Sequence, residues 1–213
     1  MLMFPEMDQS YLAKDAKRAE KVRELFDAIA PRYDLINDLQ SFWLHRHWKR
    51  RLVQLAGVKP GQRALDLCCG TGDIALALEG QGAKVTAMDF SEPMLKIAEQ
   101  RKGDADIKYK IGDALNIGEP EAHYDHVTIA YGLRNLADFE GGLAEMHRVT
   151  KPGGKLLVLD FGKPPSRLVR FWYLGYLKWM VPCFGRIFCR DAPAYAYIHE
   201  SLEDYPAQIG IES

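Results

Sequence analysis

The sequence predicts an α/β fold, a mostly parallel sheet with helices on both faces, entered through a helical N-terminal cap. Three observations predict it. Strand-like runs at 63–68, 84–89, 107–111, 125–131 and 155–161 alternate with helix-like runs at 72–80, 92–102 and 138–149, and such alternation gives a parallel sheet covered on both sides. The first strand stops at Gly70-Thr71-Gly72 and the chain restarts as Ile74-Ala75-Leu76, the junction at which sheets of this kind meet a ligand. The chain of 213 residues is 47% apolar, enough for one domain with a full core.

Each element has its own reason. Residues 1–12 show no period and are expected to be loose. Over 14–30 the apolar positions Val22, Leu25, Phe26 and Ile29 fall at helical spacing. Pro31 stops that helix; 33–48 mixes aromatic and polar residues, and 48–55 is helical again. Gly57 and Pro60-Gly61 close the cap, which spans 13–60. The alternating core follows over 61–161, with Ser91 placed to cap the second of its helices. The link at 112–124 reads as loop. From 161 to 190 there is no acid, while Lys163, Arg167, Arg170 and Lys178 stand among Phe171, Trp172, Tyr173, Tyr176 and Trp179. No strand pattern is read from there to 213, and 162–213 is assigned to the substrate and the membrane surface.

Composition excludes several classes. A net charge of −1 makes no electrostatic case for nucleic acid. The four cysteines, at 68, 69, 183 and 189, form no C-x-x-C and no metal-ligand spacing. They read as reduced thiols of a cytoplasmic protein without a metal site. No secretory signal and no apolar run of the ~18 residues of a membrane span is present.

The glycine turn brings backbone N–H groups against a ligand. At the end of the next strand-like run stands Asp89, where an acid accepts from ribose hydroxyls. A Gly-x-Gly turn alone also serves plain packing. Asp66, inside the end of the first strand, would repel a pyrophosphate and favour a ligand with positive charge. That points to S-adenosylmethionine, with Asp113-Ala114 after the third strand near the adenine amino group. A turn cap is the plainer reading of Asp113.

The chain resembles the class I methyltransferases, and among them the ubiquinone/menaquinone biosynthesis C-methyltransferase family (UbiE/MenG). Three motifs carry the resemblance over 22–205: Tyr33-Asp34-x-Ile36-Asn37 with Ser41, His45 and Trp48; Asp66 to Asp73 with Asp89-Phe90-Ser91; and Gly132-Leu133-Arg134-Asn135 with Arg148-Val149-x-Lys151-Pro152-Gly153-Gly154. It implies a Rossmann-like fold and cofactor contacts at Thr71, Asp89, Asp113 and Ala114, beside Asp66, Gly70, Gly72 and Phe90. Ala130 stands where some members have a serine that meets the cofactor, so that contact is not carried over. Family members continue beyond the length of this chain, and class I sheets finish in an antiparallel hairpin. The hairpin is expected to be missing here.

What the resemblance implies for function is C-methylation of a prenylated quinol, with demethylmenaquinol favoured. The acceptor carbon becomes nucleophilic as a ring hydroxyl loses its proton. Arg134 is expected to stabilise the phenolate and Asn135 to orient the ring; an ion pair with a local acid such as Asp138 is the alternative for Arg134. Tyr33, Asn37, His45 and Trp48 are expected to fold over the cofactor mouth, Tyr33 and Asn37 as ligand contacts and His45 as a base or as a packed cap residue. The aromatic, cationic stretch at 161–190 suits a lipid interface or a core-packing helix, and implies peripheral attachment to the inner face of a membrane. An O- or N-methyltransferase on a soluble acceptor and a non-catalytic cofactor-binding scaffold stay open, as do a homodimer and a quinone-synthesis complex.

Overall fold

The computed structural model describes residues 16–162 and 164–176. The chain opens with α1 (Ala16–Ile29), a 3-10 turn (Ala30–Arg32), α2 (Tyr33–Ser41) and α3 (Leu44–Ala56). Then come β1 (Arg63–Leu67), α4 (Asp73–Glu79), β2 (Lys84–Asp89), α5 (Glu92–Arg101), β3 (Ile107–Ile111) and β4 (Tyr124–Ala130). A second 3-10 turn (Leu133–Asn135), α6 (Phe139–Val149), β5 (Thr150–Leu159) and α7 (Arg167–Gly175) complete the described elements. The five strands form one parallel sheet in the order β3-β2-β1-β4-β5. The order reverses between β1 and β4, so their carboxyl ends open a crevice where the connections diverge.

The sheet buries both faces, as continuous apolar strands require. Leu65, Leu67, Val127 and Ile129 point to one side and pack with Val22 and Leu25 of α1 and Met146 and Val149 of α6. Ala64, Val85, Ala87 and Ile107 point to the other, against Ile74 and Leu78 of α4 and Leu52 and Val53 of α3. Each fully buried Leu, Ile or Val contributes about 1.5–3 kcal/mol. Caps fix two of the helices: Ser91 Oγ accepts from the Met94 N–H at 3.3 Å and Asp138 Oδ1 from the Gly141 N–H at 3.0 Å. A cap of this kind is worth about 1 kcal/mol.

The structure departs from the sequence reading in two places. The stretch 33–48 forms two helices, joined by Phe42 and Trp43 in left-handed backbone at φ 50° and 62°, a conformation that costs about 1–2 kcal/mol per residue with a Cβ. The last strand begins at Thr150, ahead of the predicted 155. Tyr124 pairs with Thr150 and His126 with Lys155, and the pairing shifts register between them. Lys151-Pro152-Gly153-Gly154 is taken up as a bulge, with Gly153 at φ 76°. The predicted loose 1–12 and missing hairpin, along with Lys163, Lys178, Trp179, Cys183 and Cys189, lie outside the described residues.

Candidate active site

A cavity of about 310 Å³ opens at the carboxyl ends of β1, β2 and β4, walled by the glycine turn, the residues after β2, β3 and β4, and the cap. Among the described residues no group of His, Cys, Asp and Glu is arranged to hold a metal ion.

The glycine turn forms one wall. Gly70 at φ 53° lets the chain reverse as β1 ends, and its N–H donates to Asp89 Oδ2 at 2.8 Å. The Ser91 N–H donates to Asp89 Oδ1 at 2.9 Å. Asp89 is 5% exposed; burial raises its pKa, while the N–H groups of Ser91, Gly70 and Phe90 hold it down. Each carboxylate oxygen has spent one acceptor site on the backbone and keeps another. That is a fit to a ribose diol. Phe90, Asp113 and Ala114 stand on the same wall. Asp113 Oδ1 also accepts from the Leu115 N–H at 2.9 Å, so Asp113 is a turn residue and a wall residue at once.

Three predicted cofactor residues, Asp66, Thr71 and Gly72, are not among those lining the cavity. Along β1 the side chains alternate, so Leu67 faces the cavity side and Asp66 the opposite one. Asp66 is 1% exposed and accepts from Thr128 Oγ1 at 2.8 Å. Burial lifts its pKa to about 7, against the Thr128 bond and the Lys49 charge; its carboxyl does not face a ligand's positive charge. Gly72 is needed for packing: a Cβ there would stand 2.6 Å from the Tyr109 hydroxyl oxygen. Thr71, 2% exposed, turns towards the cap and donates to Asp34 Oδ1 at 2.8 Å.

That last bond belongs to a clasp between cap and turn. Arg101 Nη1 donates to Asp34 Oδ2 at 2.9 Å and to the Thr71 carbonyl at 3.0 Å, and its Nη2 to Asp73 Oδ1 at 2.6 Å. Lys49 Nζ donates to Asp73 Oδ2 at 2.9 Å. Burial alone would raise the Asp73 pKa, but Lys49 and Arg101 hold it down at about 2. The clasp sets α2 over the turn, and Tyr33, its first residue, lines the cavity. A Cβ on Gly70 would lie 3.8 Å from the Tyr33 ring. Asn37 stands behind Tyr33 and hydrogen-bonds it, off the wall.

The rest of the predicted cap cluster is elsewhere. His45 is 4% exposed, with Nε2 2.9 Å from Asp38 Oδ1. Burial lowers its pKa and outweighs the Asp38 bond. It is a packed cap histidine, away from the cavity, and not its base. Trp48 is 41% exposed on the outer side of α3.

The opposite wall is built after β4. Asn135 lines it, and its Nδ2 donates to the Tyr131 carbonyl at 3.2 Å. Only the amide nitrogen can face a carbonyl, so Oδ1 is left as acceptor; it is buried without a partner among the described residues. Tyr131, which sequence reasoning missed, also lines the cavity. Its backbone is left-handed at φ 58°, its N–H donates to the Leu159 carbonyl at 2.6 Å, and its hydroxyl is buried without a partner among the described residues. Burial pushes the Tyr131 pKa well up. An aromatic residue directly ahead of Gly132-Leu133-Arg134-Asn135, at the carboxyl end of a strand, was the available signal.

Arg134 sits one layer behind. Its Nη1 donates to Asp160 Oδ1 at 2.6 Å and to the Tyr131 carbonyl at 2.8 Å, and its guanidinium lies 4.7 Å from the centre of the Phe161 ring. The acid partner is Asp160 on the neighbouring chain segment, not Asp138, which caps α6. Arg134 stands behind the wall residues Tyr131 and Asn135, a supporting position in which its guanidinium is taken up by Asp160 and the Tyr131 carbonyl.

Comparison with known proteins follows the same lines. The model of the ubiE/COQ5 methyltransferase family matches residues 13–213. The ubiquinone/menaquinone biosynthesis C-methyltransferase UbiE of Ectopseudomonas mendocina is 41% identical over 201 residues, 91% of this chain and 78% of the relative. The structure of Haemonchus contortus phosphoethanolamine N-methyltransferase 2 in complex with S-adenosyl-L-methionine superposes with a TM-score of 0.51 at 27% identity, over 61% of this chain and 32% of that one. The 4+2 cyclase SpnF gives a TM-score of 0.65 at 16% identity, over 88% of this chain and 91% of its own, a likeness of fold.

Proposed function

The chain belongs to the ubiE/COQ5 methyltransferase family, and we propose that it methylates a ring carbon of a prenylated quinol, demethylmenaquinol, at the cavity after β1 and β4. It is a methyltransferase of quinone biosynthesis, with a Rossmann-like fold and S-adenosyl-L-methionine as its cofactor.

When bound, S-adenosyl-L-methionine supplies an electrophilic methyl group on a sulfonium. Asp89 would hold its ribose, with Gly70, Phe90, Asp113 and Ala114 around the nucleoside. The rest of the cavity belongs to the acceptor. Two orphaned atoms carry this proposal: Tyr131 Oη and Asn135 Oδ1 are buried on the wall with no partner among the described residues. A buried polar atom left unmet costs about 1–3 kcal/mol, so a ligand that meets both gains that much. Asn135 Oδ1 can only accept, which calls for a ligand O–H and suits a quinol hydroxyl. Tyr131 Oη can donate to a ring oxygen as charge builds there. Tyr33 closes the cavity from the cap.

A phenol-type proton has a pKa of ~10, so transfer to carbon needs the developing phenolate stabilised. Tyr131 donates the direct hydrogen bond. Arg134 acts through it as a positioning residue, by gripping the Tyr131 carbonyl and Asp160 together.

Support for a lipid-borne acceptor comes from α7. Leu168, Phe171 and Trp172 are 69%, 70% and 69% exposed there, beside Arg170, a pairing of rings and cations suited to a membrane surface. No helix among the described residues is long and apolar enough to cross a membrane. We assign the protein to the inner face of the membrane as a peripheral enzyme.

The test is transfer of labelled methyl from S-adenosyl-L-methionine to demethylmenaquinol and, separately, to a polyprenyl methoxy-benzoquinol. Transfer to the naphthalene ring is expected. Transfer only to the benzoquinol overturns the choice of acceptor. Cofactor binding with transfer to neither overturns the enzyme reading in favour of a scaffold.

A further inference from the structure

The turn between α2 and α3 carries two aromatic residues where backbone geometry favours glycine. Phe42 and Trp43 have φ 50° and 62°, and their side chains are 63% and 57% exposed. Among the described residues no close packing of these rings offsets that strain. The exposure continues along α3. Leu44, Trp48 and Leu55 are 51%, 41% and 50% exposed, and with Arg51 they recur at helical spacing as one outward stripe. The inward stripe of the same helix, His45, Leu52, Val53 and Ala56, is buried. So α3 has an apolar side for the core and a second apolar side for something else.

Charge says what that is. No Asp or Glu occurs from 39 to 65, while α3 holds Arg46, Lys49, Arg50 and Arg51. Lys49 is committed to Asp73 and Arg46 to Asp38. Arg50 donates to the Arg46 carbonyl, and both Arg50 and Arg51 stand exposed beside the stripe. Rings and branched chains flanked by Arg50 and Arg51, with Asp38 and Asp73 already neutralised by Arg46 and Lys49, match an anionic lipid surface, where the rings sit at headgroup depth and the arginines meet phosphates. A second copy of the chain would bring like charges together across a two-fold axis.

We infer that the Phe42–Trp43 turn and the outward stripe of α3 form a docking surface for an anionic bilayer. This surface meets the end of α7 at one point, where the Tyr176 hydroxyl donates to the Gln40 carbonyl of α2, and otherwise lies on a different side of the sheet. The inner side of α3 packs on the core cluster under α4, whereas Tyr173 of α7 and Tyr176 just after it pack on the cluster over the opposite sheet face. The α2 helix links the surface to the site, with Tyr33 on the cavity wall at one end and Phe42 at the other. The purpose of the surface, delivery of a lipid-borne acceptor, rests on the proposed quinol reading; its geometry rests on α3 alone.

The experiment is co-sedimentation of the full chain with vesicles of phosphatidylcholine and of phosphatidylcholine with phosphatidylglycerol. Two double variants are compared, Phe42→Gly/Trp43→Gly and Arg50→Gln/Arg51→Gln, with methyl transfer to a short-tailed, water-soluble quinol alongside. The wild type is expected on the anionic vesicles and to leave them in high salt. The glycine variant should melt no lower than wild type, because glycine suits both turn positions. It should bind anionic vesicles at least about tenfold more weakly with transfer to the soluble quinol unchanged. The glutamine variant should lose roughly 30-fold on anionic vesicles at about 1 kcal/mol per cation. Wild-type affinity in either variant overturns the proposal. So does a wild-type dimer that the glycine variant dissociates, since the stripe would then belong to a second copy. Vesicle binding without transfer to any quinol defeats the functional reading and leaves the docking surface standing.

Discussion

Arg134 and Asp160 form an ion pair at 2.6 Å with their side chains only 7% and 3% exposed. Asp160 Oδ2 also accepts from the Arg134 N–H at 3.2 Å, and Oδ1 from the Phe161 N–H at 2.8 Å. The pair therefore joins the turn after β4 to the chain leaving β5. Removing one partner strands the other charge in a dry place, which costs about 3–5 kcal/mol. Arg134→Met is expected to lower the urea midpoint accordingly. If Arg134 positions Tyr131 and Asn135, the surviving folded enzyme will show a raised KM for the acceptor and a lowered kcat at unchanged cofactor affinity. Full turnover with unchanged KM would remove Arg134 from the reaction.

Tyr131→Phe deletes one buried hydroxyl that has no partner among the described residues. Folding stability should hold or rise slightly, because no internal hydrogen bond is lost. Acceptor use should suffer, with kcat/KM down about tenfold for one hydrogen bond of about 1.4 kcal/mol. Steady-state kinetics alongside a thermal melt separates the two effects. A variant as active as wild type would show that the hydroxyl meets no ligand.

Asp89→Ala removes the acceptor pair beside the glycine turn. Charged hydrogen bonds of about 1.5–3 kcal/mol translate into cofactor binding weakened about 10- to 100-fold. Calorimetric titration with S-adenosylhomocysteine measures it. Unchanged affinity would move the nucleoside elsewhere.

Asp66 sets a pH dependence of stability. Burial raises its pKa from 3.8 to about 7 in the folded chain. Between those values the folded state keeps a proton that the unfolded state has lost. Its contribution is thus fully present below pH ~4 and is lost as pH rises through about 7. Asp66→Asn mimics the protonated form, and should gain on wild type as pH rises, by up to about 4 kcal/mol above neutrality. Urea unfolding at pH ~5 and ~8 gives the sign; an equal offset at both would mean that Asp66 is ionised throughout.

Where the chain's own periodicity is strong, the sequence was enough. The limits of β2 and β3, and the Ser91 cap on α5, follow from apolar runs and a single hydroxyl. The cap was harder because α3 shows apolar residues on two sides and blurs any helical period. Some of the site was legible and misread. Leu65 and Leu67 flank Asp66 in a strand, and alternation already turns the acid away from the side they face. The rest is long-range. Asp160 reaches Arg134 across 26 residues, and nothing local to Arg134 chooses it over Asp138. Tyr131 is conspicuous only once its backbone strain and orphaned hydroxyl are in view.

The clasp has a consequence for how the protein is made. Its groups come from positions 34, 49, 71, 73 and 101, so the cap leaves the ribosome long before its partners do. Domains of this size fold as units once their chain is available. Until Arg101 has emerged, Asp34 has no guanidinium, and α2 cannot settle over the glycine turn. Nucleoside affinity should therefore appear abruptly with chain length, after the cofactor strands and the cap have all been synthesised. A ribosome-bound series of growing chains would show a threshold, with every shorter chain blind to the cofactor however complete its glycine turn.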